Sequence, residues 1–360
     1  MTHGKNIHVG DANIPNLDFT LKDIRKEIPQ HCFNISTIKG IRYFLQDYLL
    51  IAFGYLIKEY FSHNIITWIM WNILQGFFFW CLFVVGHDCG HRVFSKNRFI
   101  NDLFGHLSHA PLLVPYHSWR ITHRYHHKNH NHAEKEAAWK PKNSEQYKKM
   151  VTDKNIYYKV EHFFRYTPFL NLIMFPYYLI SESNTVIGNH FNPFSPIFRK
   201  IERNSVAISS FVTIAWFVLM CYIGYLYGTL FIIDNYFAPW LTFTMWLSLV
   251  TYLHHTDEDA KFYRGKTWNY LIGGLETVDR TYGFGIDKLM HDVSIHVVHH
   301  LFYTQVPHYH LIEATEAIKP ILGKHYKKVN TFFLKSYWDT VIKCHFIASR
   351  GEATNYNMTF

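Results

Sequence analysis

Residues 204–256 read NSVAISSFVTIAWFVLMCYIGYLYGTLFIIDNYFAPWLTFTMWLSLVTYLHHT and contain one charged side chain, Asp234. On either side of it, 204–233 and 235–256 each exceed the roughly 20 residues that cross a bilayer as a helix. The pair predicts a tight helical hairpin with its tip at Asp234 and Asn235. A second hairpin is expected upstream, with a return helix over 65–86 and an outgoing helix over about 44–61. The outgoing helix is interrupted by Asp47, Lys58 and Glu59, charges near its ends that can snorkel. Residues 166–181 are apolar but short and carry Pro168 and Pro176, which favours an interfacial or re-entrant segment.

The rest of the 360-residue chain is polar, with 26 histidines and a net charge of +9. Between residues 92 and 165 there are 14 Lys or Arg against 6 Asp or Glu, and such asymmetry places this loop and both termini in the cytosol. Positive charge beside apolar runs marks a membrane face, and nucleic acid is not expected as a partner. The reading is an all-α integral membrane protein: about four transmembrane helices in two hairpins, under a cytosolic helical cap carrying a histidine-ligated di-metal site. Residues 1–43 form a cytosolic N-terminal segment, 44–256 the hairpins with their cytosolic loop, and 257–360 a cytosolic C-terminal region. His63 falls by the far-side hairpin tip. Cys32, Cys81, Cys89, Cys221 and Cys344 are scattered and odd in number, which argues against a disulfide framework. No signal or transit peptide is evident in the first forty residues.

Three histidine clusters carry the chemistry. The first is Gly86-His87-Asp88-Cys89-Gly90-His91, whose two histidines share one face of a helix leaving the membrane. His123-Arg124-Tyr125-His126-His127 and His296-Val297-Val298-His299-His300 both repeat i, i+3, i+4, which on a helix projects three imidazoles from one stripe. Eight imidazoles exceed the four ligands of one zinc ion, so two metals are the economical reading, and imidazole alone does not name them. Asp88 is the acidic candidate for a catalytic role, and with Asp292 it is expected to accept a ligand's second N–H. His130, His132, His254, His291, His308 and His310 are expected to be hydrogen-bonded histidines outside the ligand set.

With those clusters go Phe19-Thr20-Leu21-Lys22-Asp23-Ile24, Ile28-Pro29-Gln30-His31-Cys32-Phe33, Asn189-His190-Phe191-Asn192-Pro193, Arg264-Gly265-Lys266, Thr277-Val278-Asp279-Arg280 and Pro307-His308-Tyr309-His310. Together they resemble the membrane fatty acid desaturase family, specifically its methyl-end group of omega-3 and delta-12 enzymes. Asp88-Cys89, Leu253-His254-His255 and the stretch His126 to Trp139 are more similar to the omega-3 branch. The resemblance implies two irons held almost entirely by histidine: His87, His91, His123, His126, His127, His296, His299, His300, and His255 from the end of the fourth span. It implies O2 as oxidant, an unsaturated 18-carbon acyl lipid as substrate, and a methyl-end double bond as product.

Without a dinucleotide fingerprint or a fused haem domain, electrons must come from a separate donor. The resemblance implies cytochrome b5 with its reductase, or a ferredoxin-type protein, and residence in the endoplasmic reticulum membrane. Tyr356-Asn357-Met358-Thr359-Phe360 is loosely similar to an aromatic-ended retrieval signal. The competing readings are a delta-12 or bifunctional desaturase, a fatty acyl hydroxylase on the same centre, and a histidine-ligated zinc hydrolase. Whether the chain forms homodimers is left open by the sequence.

Overall fold

The computed structural model describes residues 14–61, 64–136, 138–153, 169–181 and 188–357, with the single positions 159 and 163. His63 and the terminal Met358 to Phe360 lie outside the described residues. The fold is mostly helical. Its labelled helices are α1 (Leu21–Glu27), α2 (Thr37–Leu56), α3 (Ile65–His91), α4 (Arg98–His109), α5 (Tyr116–Lys128), α6 (Phe169–Ile180), α7 (Arg203–Tyr227), α8 (Ala238–His255), α9 (Val297–Phe302), α10 (Leu311–Leu322) and α11 (Phe333–Lys343).

The expectation of an all-α chain is corrected in the C-terminal region. β1 (Lys261–Tyr263), β5 (Ala353–Asn357) and β4 (Phe346–Ile347) form a small antiparallel sheet in that order, and β2 (Asp279–Arg280) pairs in parallel with β3 (Lys328–Val329). Strands of two to five residues are too short for alternation to reveal. They pair backbone groups that no helix satisfies.

Helix α3 is the axis of the molecule. Asn64 caps it, its side chain accepting from the amides of Ile66 (3.0 Å) and Thr67 (3.1 Å). Arg92, in the left-handed region at φ 64°, ends it with its N–H on Asp88 and Cys89 carbonyls. Phe77 to Val85 are buried without a break, so no face is left for solvent, as befits a central helix. α8 lies close against it. A Cβ at Gly76 would sit 2.6 Å from the Phe243 amide nitrogen and 2.7 Å from the Pro239 carbonyl, so only glycine permits this approach. α7 is the opposite case: Phe211, Val218 and Tyr225 project from it unburied, as on a lipid-facing helix.

Among the described residues two helices, Ile65–His91 and Lys200–Tyr227 with its preceding turn, are long and apolar enough to cross a membrane. α8 is diluted by threonines, Ser248 and the terminal His254 and His255, and α2 carries Lys39, Arg42 and Asp47, so neither meets that standard by composition. The hairpin tip also moves. α7 stops at Tyr227, and Gly228, at φ 102°, makes the turn; a short helix and a π-helical segment (Ile233–Phe237) then lead into α8. Asp234 therefore lies on the returning limb. There its carboxylate meets Lys58 Nζ and Trp68 Nε1, while Lys58 also donates to Asn235 Oδ1 at 2.7 Å. The charges expected to interrupt one hairpin and end the other satisfy each other. α6, expected as a short interfacial segment, is a 12-residue helix with Pro176 inside it, packed on α8.

Above the helices, α1 and the turn Gln30–Phe33 pack through Ile24, Ile28 and Cys32 against Leu301, Leu311, Ala314 and Ile318. The two ends of the chain thus share one core.

Candidate metal centre

The last turn of α3 presents His87 and His91, their Nε2 atoms 3.0 Å apart. His91 Nε2 lies 3.1 Å from His123 Nε2 on α5, and His123 Nε2 lies 3.1 Å from His127 Nε2. His299 of α9 closes this group, its ring centroid 4.8 Å from those of His87 and His127. A second group forms beside it from His126, His130, His255 and His300, with centroid separations of 4.5 Å for His126–His255 and 4.4 Å for His130–His300. Within each group the donor atoms all lie within 4.8 Å of one another. His296 borders the second group, its Nε2 3.2 Å from that of His255.

The repeated triplets do not act as single stripes. At about 100° per residue, His127 is rotated about 40° from His123 on α5, whereas His126 is rotated about 60° the other way. Adjacent rings therefore face different groups: His127 joins the first and His126 the second. His299 and His300 divide in the same manner.

All these rings are buried apart from His123, which is half-buried. Burial, reinforced by the neighbouring imidazoles, pushes His123, His127, His299 and His300 well below the ordinary histidine range. Those four rings are neutral, each with a lone pair to give. His126 Nε2, His299 Nε2 and both nitrogens of His130 and His300 have no hydrogen-bond partner. Five and four ring nitrogens converging within 4.8 Å, several of them without a partner, are what a pair of transition-metal ions would satisfy, and the residues fit such ions.

The surrounding carboxylates differ from expectation. Asp88 Oδ2 accepts from His308 Nδ1 (2.7 Å) and from the His308 amide (3.2 Å), and Oδ1 lies 3.6 Å from His87 Nδ1. It ties the first cluster to the segment after the third. Asp292 reaches no cluster ring and instead pairs with Lys288 at 2.8 Å, because a left-handed turn at His291 and Asp292 turns it outward. The partner that sequence reasoning missed is Glu136. Its Oε1 lies 2.7 Å from His126 Nδ1, and its Oε2 lies 3.7 Å from His130 Nδ1. Burial alone would raise the Glu136 carboxyl, but His126 and His130 hold it well below the usual carboxylate range. Its signal was an acid ten residues after His126 in a loop otherwise dense in histidine.

His130, expected to be a bystander, lies in the second group because the left-handed residue Asn131 folds the chain back after α5. His254 and His255 are distinguished by their partners. His254 donates Nδ1–H to the Val278 carbonyl (2.7 Å) and its Nε2 accepts from the Tyr282 hydroxyl (3.3 Å), leaving His255 to face the cluster. Asp47, read as a charge interrupting a span, is fully buried against His291 Nε2 at 2.8 Å.

Beside both groups lies a cavity of about 330 Å³. Trp80, Phe83, Met174, Phe175 and Leu247 supply apolar wall, while His87, His123, His126 and His255 supply the end at the histidines.

The fatty acid desaturase family model matches residues 66–333. The chain is 41% identical over 340 residues to the sn-1 acyl-lipid omega-3 desaturase (ferredoxin) of Nostoc sp. (strain 36), covering 94% of this chain and 91% of that one. It is 43% identical over 344 residues to the enzyme of the same name from Synechocystis sp. (strain ATCC 27184 / PCC 6803 / Kazusa), again with 94% and 91% covered. To the acyl-lipid omega-3 desaturase (cytochrome b5), endoplasmic reticulum, of Arabidopsis thaliana it is 38% identical over 349 residues, covering 94% and 87%. With its histidine clusters gathered at the end of an apolar cavity, this chain belongs to the fatty acid desaturase family.

Proposed function

We propose that this protein is an omega-3 fatty acyl desaturase that introduces a methyl-end double bond into an acyl lipid already carrying one or more double bonds. The observation that carries the reading is the apolar cavity that ends on rings of both histidine groups. Similarity to omega-3 enzymes over 94% of the chain supports the branch over delta-12.

In this reading His87, His91, His123, His127 and His299 hold one iron ion, and His126, His130, His255 and His300 the other, with His296 at the edge of the second. A di-iron centre supplied with O2 and two external electrons provides the power to remove two hydrogens from an unactivated methylene pair, which no side chain can do. The chain's own residues bind, orient and exclude. Trp80, Phe83 and Phe175 hold an extended acyl chain by apolar contact and keep water from the reacting carbons. Glu136 accepts from His126, and Asp88 accepts from His308 while abutting His87, fixing tautomer and ring orientation. That makes Asp88 a positioning residue.

Four crossings, by α2, α3, α7 and α8, would put the histidine groups and both termini on the cytosolic side. The donor is a separate small redox protein of the cytochrome b5 or ferredoxin kind, as named for the relatives. Endoplasmic reticulum residence would go with cytochrome b5.

Expression in a host that makes monoenes but no polyunsaturates, with and without added linoleate, tests the assignment by mass spectrometry of double-bond positions. Triene from linoleate is the expected product. Diene from the host's oleate without triene would make it a delta-12 enzyme, and hydroxy acids would make it a hydroxylase.

A further inference from the structure

Away from the histidine groups, four donor side chains from opposite ends of the sequence meet at the rim of the cap. His31 and Cys32 come from the turn Gln30–Phe33; His310 and Glu313 come from the turn His308–His310 and the start of α10. Their donor atoms all lie within 4.8 Å of one another. His31 Nε2 is 2.8 Å from Glu313 Oε1, His310 Nδ1 is 3.9 Å from Glu313 Oε2, and the Cys32 sulfur lies within 4.8 Å of the other three donor atoms. The rings of His31 and His310 meet edge to face at 5.6 Å.

Each feature has an ordinary explanation alone, but the set does not. Among the described residues, Cys32 is the one cysteine whose sulfur joins such a group. It is fully buried, while His31 and Glu313 are exposed, so the cluster has an apolar floor and an open mouth through which an ion can enter. One sulfur, two imidazoles and one carboxylate make four donors of mixed, borderline-soft character, the count and type of a closed tetrahedral zinc site. Zinc bond lengths of 2.0–2.3 Å require donor separations of roughly 3.3–3.8 Å. The four donor atoms, all within 4.8 Å of one another, would need to shift by less than about 1.5 Å to reach that spacing.

We propose that His31, Cys32, His310 and Glu313 form a mononuclear zinc site, separate from the histidine-rich centre, that staples the N-terminal segment to the segment following the third histidine cluster. Zinc binds Cys32 as thiolate, so the thiol proton leaves to solvent as the ion enters. The site has a structural consequence for the centre. His310 lies two residues from His308, whose Nδ1 donates to Asp88 beside His87. An ion at His31 and His310 therefore fixes the strand of chain on which that hydrogen bond depends. This proposal stands whether or not the product is omega-3.

The test is metal content and zinc K-edge absorption on the full-length, iron-loaded protein in detergent, for the wild type, Cys32→Ser and Glu313→Gln. The absorption edge is decisive because the histidine-rich groups contain no sulfur. The expected result is about one zinc per chain with one sulfur neighbour at about 2.3 Å. Cys32→Ser should lose the sulfur signal, and Glu313→Gln, a change at an exposed position, should lower zinc occupancy at limiting zinc while iron content holds. Absence of zinc after growth and purification with added zinc, zinc without sulfur scattering, or sulfur-bound zinc that persists in Cys32→Ser would each overturn the proposal.

Discussion

Glu136 Oε1 lies 2.7 Å from His126 Nδ1, with both side chains buried beside the second histidine group. An ionised carboxylate there fixes the imidazole with Nε2 as its lone-pair nitrogen and raises its basicity. Glu136→Gln should lower activity about 10- to 100-fold, as expected for an outer partner of a metal-binding histidine. Part of the iron should be lost with it. Metal content and product yield per folded chain check this, and unchanged values would mean that the hydrogen bond is only packing.

His130 and His132 are neighbours in the chain with different fates. His130 converges with His126, His255 and His300, whereas His132 Nδ1 lies 3.3 and 3.4 Å from the backbone amides of Glu134 and Lys135. His130→Ala should abolish product as thoroughly as His255→Ala. His132→Ala should retain most of it. Product profiles of the three variants at matched expression decide the point.

The two hairpins are joined at their far ends by Lys58, which meets Asp234 and Asn235 and lies over the Trp71 ring at 4.7 Å. Removing one partner of a partly buried pair costs more than removing both. Lys58→Met and Asp234→Leu should each lower the detergent Tm, and the double variant should recover part of the loss. A coupling of roughly 1 kcal/mol is expected from the double-mutant cycle.

His190 supplies a pH dependence. It is fully buried with Nε2 3.1 Å from Thr122 Oγ1, and burial lowers it to about 4. Its folded value lies below its unfolded one, so its contribution is complete above about pH 6.5 and is lost as pH falls towards 4. From pH 7 to pH 5 this amounts to about 2 kcal/mol. The Tm of His190→Gln should therefore fall less over that interval than the wild-type Tm. Parallel pH profiles would contradict the assignment.

What the sequence made legible follows from the range of each signal. Local spacing placed the histidines on helix ends and named α3 and α7, because a 3.6-residue period and long uncharged runs are local properties. The preference for His255 over His254 came from family resemblance and not from spacing, since the partners of His254 appear only in the folded chain. The division of adjacent histidines between two groups depends on how α5 and α9 face each other. No single-helix pattern contains that. Glu136, His130 and the pairing of Asp47 with His291, 244 residues away, were hidden for the same reason. The hairpin tip was misplaced because Asp234 is the only charge in the run, yet Gly228 supplies the turn and Lys58 neutralises the charge from another hairpin.

The central claim is that nine converging histidines hold two iron ions. Iron per folded chain, measured on active protein purified in detergent, tests it directly, with His299→Ala and His255→Ala as the paired controls that strike one group each. The account predicts about two irons per wild-type chain and a clear loss in each variant. An active preparation holding one iron or none, or variants that keep both irons, would contradict it.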